Sequence, residues 1–251
     1  MVPLKTLIDH CDRLLEVDGF QDYCPNGLQV ETDPRRPVRR LVTGVTACLA
    51  LVEAAAEAGA DLLVVHHGFF WKGEPAPLTG MKGRRIATLF RHGINLAAYH
   101  LPLDAHPELG NNVQLGRRLG VESIECVTPD GLLWGGVLDR VQPLETFGAR
   151  VGEVLGRAPL LISGGVHPVR RLAWCTGAAD RLIEQAADLG FDAFLSGEVS
   201  EPTFHAARER GIHYIAAGHH ATERYGVQAL GVRLADEFGI EHRFIDVDNP
   251  V

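Results

Sequence analysis

The sequence has few cysteines, and they are widely spaced. Five occur among the 251 residues, without a CxxC pair: Cys11, Cys24, Cys48, Cys126 and Cys175. The odd number and the scatter argue against a disulfide framework and against a thiolate zinc site. We therefore expect reduced thiols, as is typical of a cytoplasmic protein.

Long apolar runs and an excess of basic residues are also missing. No stretch reaches the roughly 18 apolar residues of a membrane-spanning helix. The opening segment, MVPLKTLIDHCDRLLEV, lacks the apolar core and the cleavage site of a secretion signal. Twenty-four basic against thirty-two acidic residues give a net charge of −8, whereas nucleic-acid binding depends on clustered lysines and arginines. We expect no membrane partner, and the acidic balance argues against a nucleic-acid partner unless arginines and lysines form a local basic patch.

Several familiar catalytic motifs are absent as well. The chain contains no GxSxG elbow, no GxxxxGK[ST] phosphate loop, no HExxH and no GxGxxG between a strand and a helix. These absences disfavour serine hydrolases of the elbow type, P-loop enzymes, zincins and dinucleotide-binding enzymes.

Apolar runs and helical patterns alternate along the sequence, which predicts an α/β fold. We divide it into two similar α/β domains with mixed sheets, residues 1–126 and 127–251, at the turn-rich segment VTPDG. The predicted helices are 4–15, 49–58, 82–92, 112–119, 144–155, 183–189, 203–209 and 222–238. The predicted strands are 40–45, 62–65, 94–99, 132–138, 160–162, 172–175, 193–195, 214–217 and 242–247.

The first informative histidines, His66 and His67, follow the apolar run DLLVV. In open α/β sheets, ligands bind beyond the carboxyl ends of the strands. Adjacent side chains on a strand point in opposite directions, so both rings serve one ion only if the chain bends. A two-metal centre fits this pattern better. The alternative is a pair of loop histidines that cap the end of the strand.

A second pair, His219 and Glu223, follows the apolar run YIAAG. A spacing of four residues places both side chains on one face of a helical turn. An imidazole and a carboxylate together suit a borderline divalent metal. The alternative is that His219 or Thr222 caps the helix while Glu223 pairs with Arg224 or with solvent.

A third cluster, in HLPLDAHPELGNN, supplies Asp104 as an oxygen ligand. His100 and His106 are candidates for orienting the metal ligands, since metal-bound histidines need such partners. Taken alone, Asp104 also fits an ordinary Asx turn. Because all three clusters follow predicted strands, a metal site at the carboxyl ends of the strands, between the two domains, is the favoured interpretation.

Four segments together resemble the signatures of the YbgI-type dinuclear-metal-centre proteins, often called GTP cyclohydrolase I type 2 homologues. They are VVHHGFFWKGE, YHLPLDAHPELGNN, SGEVSEPTFHAARERG and AAGHHATERYG. The resemblance implies a toroidal homohexamer with two divalent ions in each subunit. It implies five ligands, which we divide as His66 and Asp104 on one ion, His67 and His219 on the other, and Glu223 as the bridge.

The predicted site favours a dinuclear-metal-dependent hydrolase, because two ions activate water and clamp the reacting oxygens. The resemblance adds nucleotides or purine-like compounds as the small-molecule substrate. His100 and Glu198 are the candidates for the catalytic acid or base. Histidine and carboxylate ligands suit Zn, Fe, Mn or Ni alike. The alternative function is a non-catalytic, metal-binding, ring-shaped scaffold or interaction protein.

Overall fold

Two separate β-sheets organise the chain, and the computed structural model describes all 251 residues. The strands are β1 (Gly27–Val30), β2 (Arg40–Thr46), β3 (Leu62–His67), β4 (Asn95–Ala98), β5 (Val121–Cys126), β6 (Trp134–Gln142), β7 (Leu160–Ile162), β8 (Val169–Trp174), β9 (Ala193–Ser196), β10 (His213–Ala216) and β11 (Glu241–Phe244). The helices are α1 (Leu4–Leu14), α2 (Leu49–Glu57), α3 (Gly80–His92), α4 (Leu101–Ala105), α5 (Asn111–Arg118), α6 (Leu144–Leu155), α7 (Ile183–Asp188), α8 (Glu201–Arg210), α9 (His219–Thr222) and α10 (Arg224–Phe238). None of these helices is both long enough and apolar enough to span a lipid bilayer.

The first unit, residues 1–103 and 226–248, contains a five-stranded sheet in the order β1-β4-β3-β2-β11. Its strands are parallel except β1, which pairs antiparallel with β4. Every residue of β4 and all but the last of β3 are buried, as expected for central parallel strands that are covered on both faces. The apolar cluster around Val65, Leu51 and Leu96 fills this core.

The second unit, residues 104–225 and 249–251, contains a six-stranded sheet in the order β5-β6-β8-β9-β10-β7. The strands β8, β9 and β10 are parallel, and the outer pairs are antiparallel. One face packs around Trp174 and Phe147, and another apolar cluster contains Phe194 and Tyr214. The predicted α/β class with two mixed sheets is therefore confirmed.

The division of the chain differs from the sequence-based one at 126/127. The strand β5 pairs with β6 in the second sheet, and the segment from 226 through β11 returns to the first unit, where β11 pairs with β2. Asp104, expected in the N-terminal domain, belongs to the second unit. The domain boundary was misplaced because the hydrophobic pattern within a strand predicts how buried the strand is, but not which strand it pairs with. Sequence reasoning also missed β1, α4 and β5, which are short or partly exposed.

Candidate metal centre

In the first unit, three histidine rings gather where β3 and β4 end. The ring centroids of His66 and His67 lie 4.5 Å apart, and that of His100 lies 5.1 Å and 5.7 Å from them. One ring nitrogen from each of the three lies within 4.8 Å of the others. The rings of the two adjacent histidines therefore lie side by side, an arrangement that fits the predicted two-metal centre.

Hydrogen bonds hold these rings in defined orientations. His66 is fully buried, and its Nδ1 lies 2.9 Å from the backbone carbonyl of Tyr99. Because a carbonyl only accepts, Nδ1 carries the proton and Nε2 carries the lone pair that a metal requires. His67 Nδ1 lies 3.1 Å from Thr46 Oγ1. Partners of this kind are what metal-binding histidines normally have on their second nitrogen.

His100 is held by two residues that the sequence did not single out. Its Nδ1 lies 2.7 Å from Asp22 Oδ1, and its backbone N–H donates to Asn26 Oδ1 at 2.7 Å. Burial would raise the pKa of Asp22, but hydrogen bonds from His100 and Asn26 outweigh it and lower the pKa to about 2. An ionised Asp22 therefore fixes His100 with the Nδ1 proton facing it. Asp22 lies 78 residues from His100, so no local spacing could reveal the pair.

In the second unit, Asp104 is a buried residue of α4 rather than part of an isolated turn. Asn111 Nδ2 donates to Asp104 Oδ1 at 2.9 Å, and Thr176 Oγ1 donates to the same atom at 3.3 Å. A carboxylate oxygen of Asp104 lies within 4.8 Å of one of Glu223. His106 does not orient this group through Nδ1, since that atom accepts N–H groups from its own turn.

His219 lies between two carboxylates of the same unit. Its Nε2 is 3.0 Å from Glu223 Oε2, and its Nδ1 is 2.6 Å from Glu198 Oε1. The predicted helical contact between His219 and Glu223 is thus present, with Gly218, not His219 or Thr222, at the start of α9. Burial lowers the pKa of His219, but the two carboxylates outweigh it and raise the pKa to about 9.

The backbone leaves room for these side chains. Gly177 has a φ of +67°, and a Cβ at this position would lie 2.1 Å from Glu223 Oε1 and 3.3 Å from His219 Nε2. Its N–H donates to Thr222 Oγ1, whose hydroxyl bonds the carbonyls at the start of α9. Only glycine fits this left-handed position beside the two side chains.

The residues present fit a divalent cation. Asp104 and Glu223 are 6% and 2% exposed, and two carboxylates so close and so buried need positive charge nearby, which the protonated His219 supplies without a metal and a divalent cation would supply in its place. Each unit offers nitrogen or oxygen ligands of the kind that zinc, iron, manganese and nickel accept. Cys24 also lies near Asp22 and His100, but burial, with a contribution from the Asp22 charge, raises the pKa of its thiol to about 12, which disfavours a thiolate ligand.

Known proteins resemble the chain over its whole length. The model of the Duf34/NIF3 (NGG1p interacting factor 3) family matches residues 2–250. A Pseudomonas aeruginosa protein named "GTP cyclohydrolase 1 type 2 homolog" is 56% identical over 253 residues, which is 99% of each chain.

Solved structures show the same fold. Protein ybgI, described as of unknown function, is 45% identical with a TM-score of 0.95, and the match covers 100% of both chains. A Thermus thermophilus protein is 37% identical with a TM-score of 0.90, over 98% of this chain and 99% of that one.

Proposed function

This chain belongs to the Duf34/NIF3 family, and we propose that it is a dinuclear-metal-dependent hydrolase. The observation that carries the proposal is the ligand chemistry in each unit. The first unit offers clustered imidazoles, and in His66 the bond from Nδ1 to a backbone carbonyl leaves the lone pair on Nε2. The second unit offers a histidine with two buried carboxylates. Such sets are typical of sites that hold divalent cations and activate water.

We propose that five residues act as one ligand set for two ions, with Glu223 as the bridge. His66 and Asp104 would hold one ion, and His67 and His219 would hold the other. When bound, a pair of divalent ions supplies a water-derived nucleophile at neutral pH and polarises the bond that is cleaved. Zinc, iron, manganese and nickel all suit these ligands.

His100 is the proposed acid or base. With Nδ1–H donated to the ionised Asp22, the lone pair of His100 lies on Nε2, where it can take up or deliver a proton. Glu198 acts through His219 instead, because it accepts the Nδ1 proton; a metal ion at Nε2 would then take the place of the proton that Nε2 shares with Glu223. The proposed role of Glu198 is therefore to position a ligand.

The substrate class follows from the relatives. Because close relatives are named as homologues of GTP cyclohydrolase 1 type 2, we propose that the site hydrolyses a nucleotide or a purine-like compound. We further propose that the protein is cytoplasmic, which agrees with its five free cysteines. We also propose that it forms a homohexamer. Light scattering would then give a mass near six times the 27.3 kDa of the chain.

Elemental analysis of the purified native protein, with a hydrolysis screen on the same sample, tests the function. The panel contains nucleotides, nucleosides and phosphoesters. We expect about two divalent ions per chain and turnover of at least one compound. His67→Ala and Glu223→Gln should lose both metal and turnover. His205→Ala is the matched control, because His205 is exposed on α8 and bonds Glu201 on the same helix.

The outcomes separate the two functions considered. Full metal content without turnover of any compound would contradict the hydrolase and support a non-catalytic metal-binding scaffold. Turnover by metal-free Glu223→Gln would contradict the metal-dependent mechanism itself.

A further inference from the structure

Aromatic side chains lie beside the histidine cluster of the first unit. The ring centroid of Trp71 lies 5.0 Å from that of His100 and 5.9 Å from that of His67. Tyr23 contacts His100 edge to face at 6.4 Å and is 63% exposed. Trp71 is partly exposed, whereas Trp134 and Trp174 are buried. Tyr23 and Trp71, which we call the aromatic wall, thus stand next to the proposed reaction centre.

The loop after β3 holds Trp71 in place. Glu74 Oε2 accepts the backbone N–H groups of Phe70 and Trp71 at 3.1 Å and 3.2 Å. Phe70 has a φ of +65°, a conformation that is costly for a bulky residue and that clusters at functional sites. The indole N–H of Trp71 donates to the Gly68 carbonyl at 3.3 Å. The loop thus keeps a strained backbone that fixes the indole.

Further contacts join this loop to the segment that carries Tyr23. The Lys72 N–H donates to the carbonyl of Tyr23 at 2.7 Å. Lys82 Nζ donates to the Pro75 carbonyl at 2.7 Å and lies 3.4 Å from a Glu74 carboxylate oxygen. One hydrogen-bonded network therefore joins the backbone segments that carry the two residues of the aromatic wall.

We propose that the aromatic wall recognises a planar nitrogen heterocycle of the substrate, of the purine or pterin class. Aromatic side chains stack on the flat faces of such heterocycles, and this stacking tolerates different bases because each one has a π-face. Because the indole N–H is already donated to Gly68, Trp71 offers ring surface rather than a hydrogen-bond donor. This inference rests on the proposed function, since it places the ring beside the histidines that are assigned to catalysis.

Isothermal titration of the full chain tests the inference, with guanosine and pterin as planar probes and ribose 5-phosphate as the non-planar one. The metal-loaded and the chelator-treated protein are both titrated. We expect a planar probe to bind, Trp71→Leu to weaken it about tenfold or more, and Trp71→Phe to retain most of the affinity. Tyr23→Leu, at an exposed position, should weaken it several-fold. Phe90→Leu is the control, because Phe90 is an exposed aromatic residue on α3.

The results distinguish this inference from the proposed function. Failure of both planar probes to bind, or wild-type affinity in Trp71→Leu, would overturn the aromatic wall. An equal loss in Phe90→Leu would overturn it as well, since the effect would not be local. Metal content is measured on the same samples. Normal metal with no ring binding contradicts only the wall, and ring binding by a protein that takes up no metal contradicts only the metal-dependent hydrolase.

Discussion

Gly177 offers a test of the carboxylate site at the level of one atom. A methyl group there would collide with Glu223 Oε1 and approach His219 Nε2. We expect Gly177→Ala to lower both the free energy of unfolding and the metal content. The backbone contribution alone is about 1–2 kcal/mol, because alanine is strained at a φ of +67°. Urea denaturation and elemental analysis measure the two effects.

Gly156 is the matched control, since it has a φ of +71° but no atom within 4 Å of the place that a methyl group would occupy. Gly156→Ala should show the backbone cost and keep its metal. Equal metal content in the two variants would mean that Gly177 does not make room for the ligands.

His242 gives a pH dependence outside the candidate site. Its ring bonds Thr43 Oγ1 at 2.9 Å and packs against Gly231. Burial lowers its pKa below the ordinary 6.5, so the folded protein binds this proton less readily than the unfolded chain. The stability that neutral His242 contributes is therefore present above pH 6.5 and is lost as the pH falls through the lowered pKa.

Urea denaturation between about pH 7.5 and pH 5 measures this loss. The fall in the free energy of unfolding should be smaller in His242→Gln than in the wild type. His205→Gln, at an exposed position, should keep the wild-type fall. Identical pH profiles in all three proteins would exclude a contribution from the buried ring.

Single residues were predictable from the sequence only where the signal was local. His66, His67 and the pair His219 and Glu223 follow apolar strands within a few positions, and the contact in that pair was predicted correctly. Their role as ligands stays a prediction. Asp22 could not be found, because its partner His100 is distant in sequence and the orientation comes from tertiary contacts.

Between elements, Asp61 connects the starts of two neighbouring strands. Its Oδ2 accepts the N–H groups of Arg39 and Arg40 at the start of β2, and its Oδ1 lies 2.7 Å from Arg36. Because Asp61 is buried, we expect Asp61→Ala to cost about 2–3 kcal/mol of unfolding free energy. Asp33→Ala, at a half-exposed position in the loop before β2, should cost far less. Similar urea midpoints for both variants would contradict this role.

The elements themselves were largely predictable, but their pairing was not. Apolar runs located β2, β3, β8, β9 and β10, because central strands are continuously hydrophobic. At the end of β3, the rings of two adjacent histidines lie together, which fits the two-metal centre predicted from their position. The hydrophobic pattern within β5 or β11 does not show which sheet the strand joins. That depends on the path of the chain, which pairs β5 with β6 and β11 with β2.

At the scale of the whole molecule, the proposed ligands are divided between the two units. His66 and His67 belong to the first, and Asp104, His219 and Glu223 belong to the second. If the five form one set, a ligand lost from either unit should remove the same stabilisation by metal. If each unit binds metal on its own, one substitution should remove only part of the stabilisation by metal.

Thermal unfolding with and without a chelator decides between these cases. A metal that binds only the folded chain stabilises it by about 2.7 kcal/mol when its free concentration is about 100 times the Kd. We therefore expect a chelator to lower the Tm of the wild type by several degrees. His67→Ala and Glu223→Gln should each abolish the whole shift, and the double variant should show no further change. A partial shift that survives in one single variant would mean that the two units hold their metals independently, and the five residues would then not form one centre.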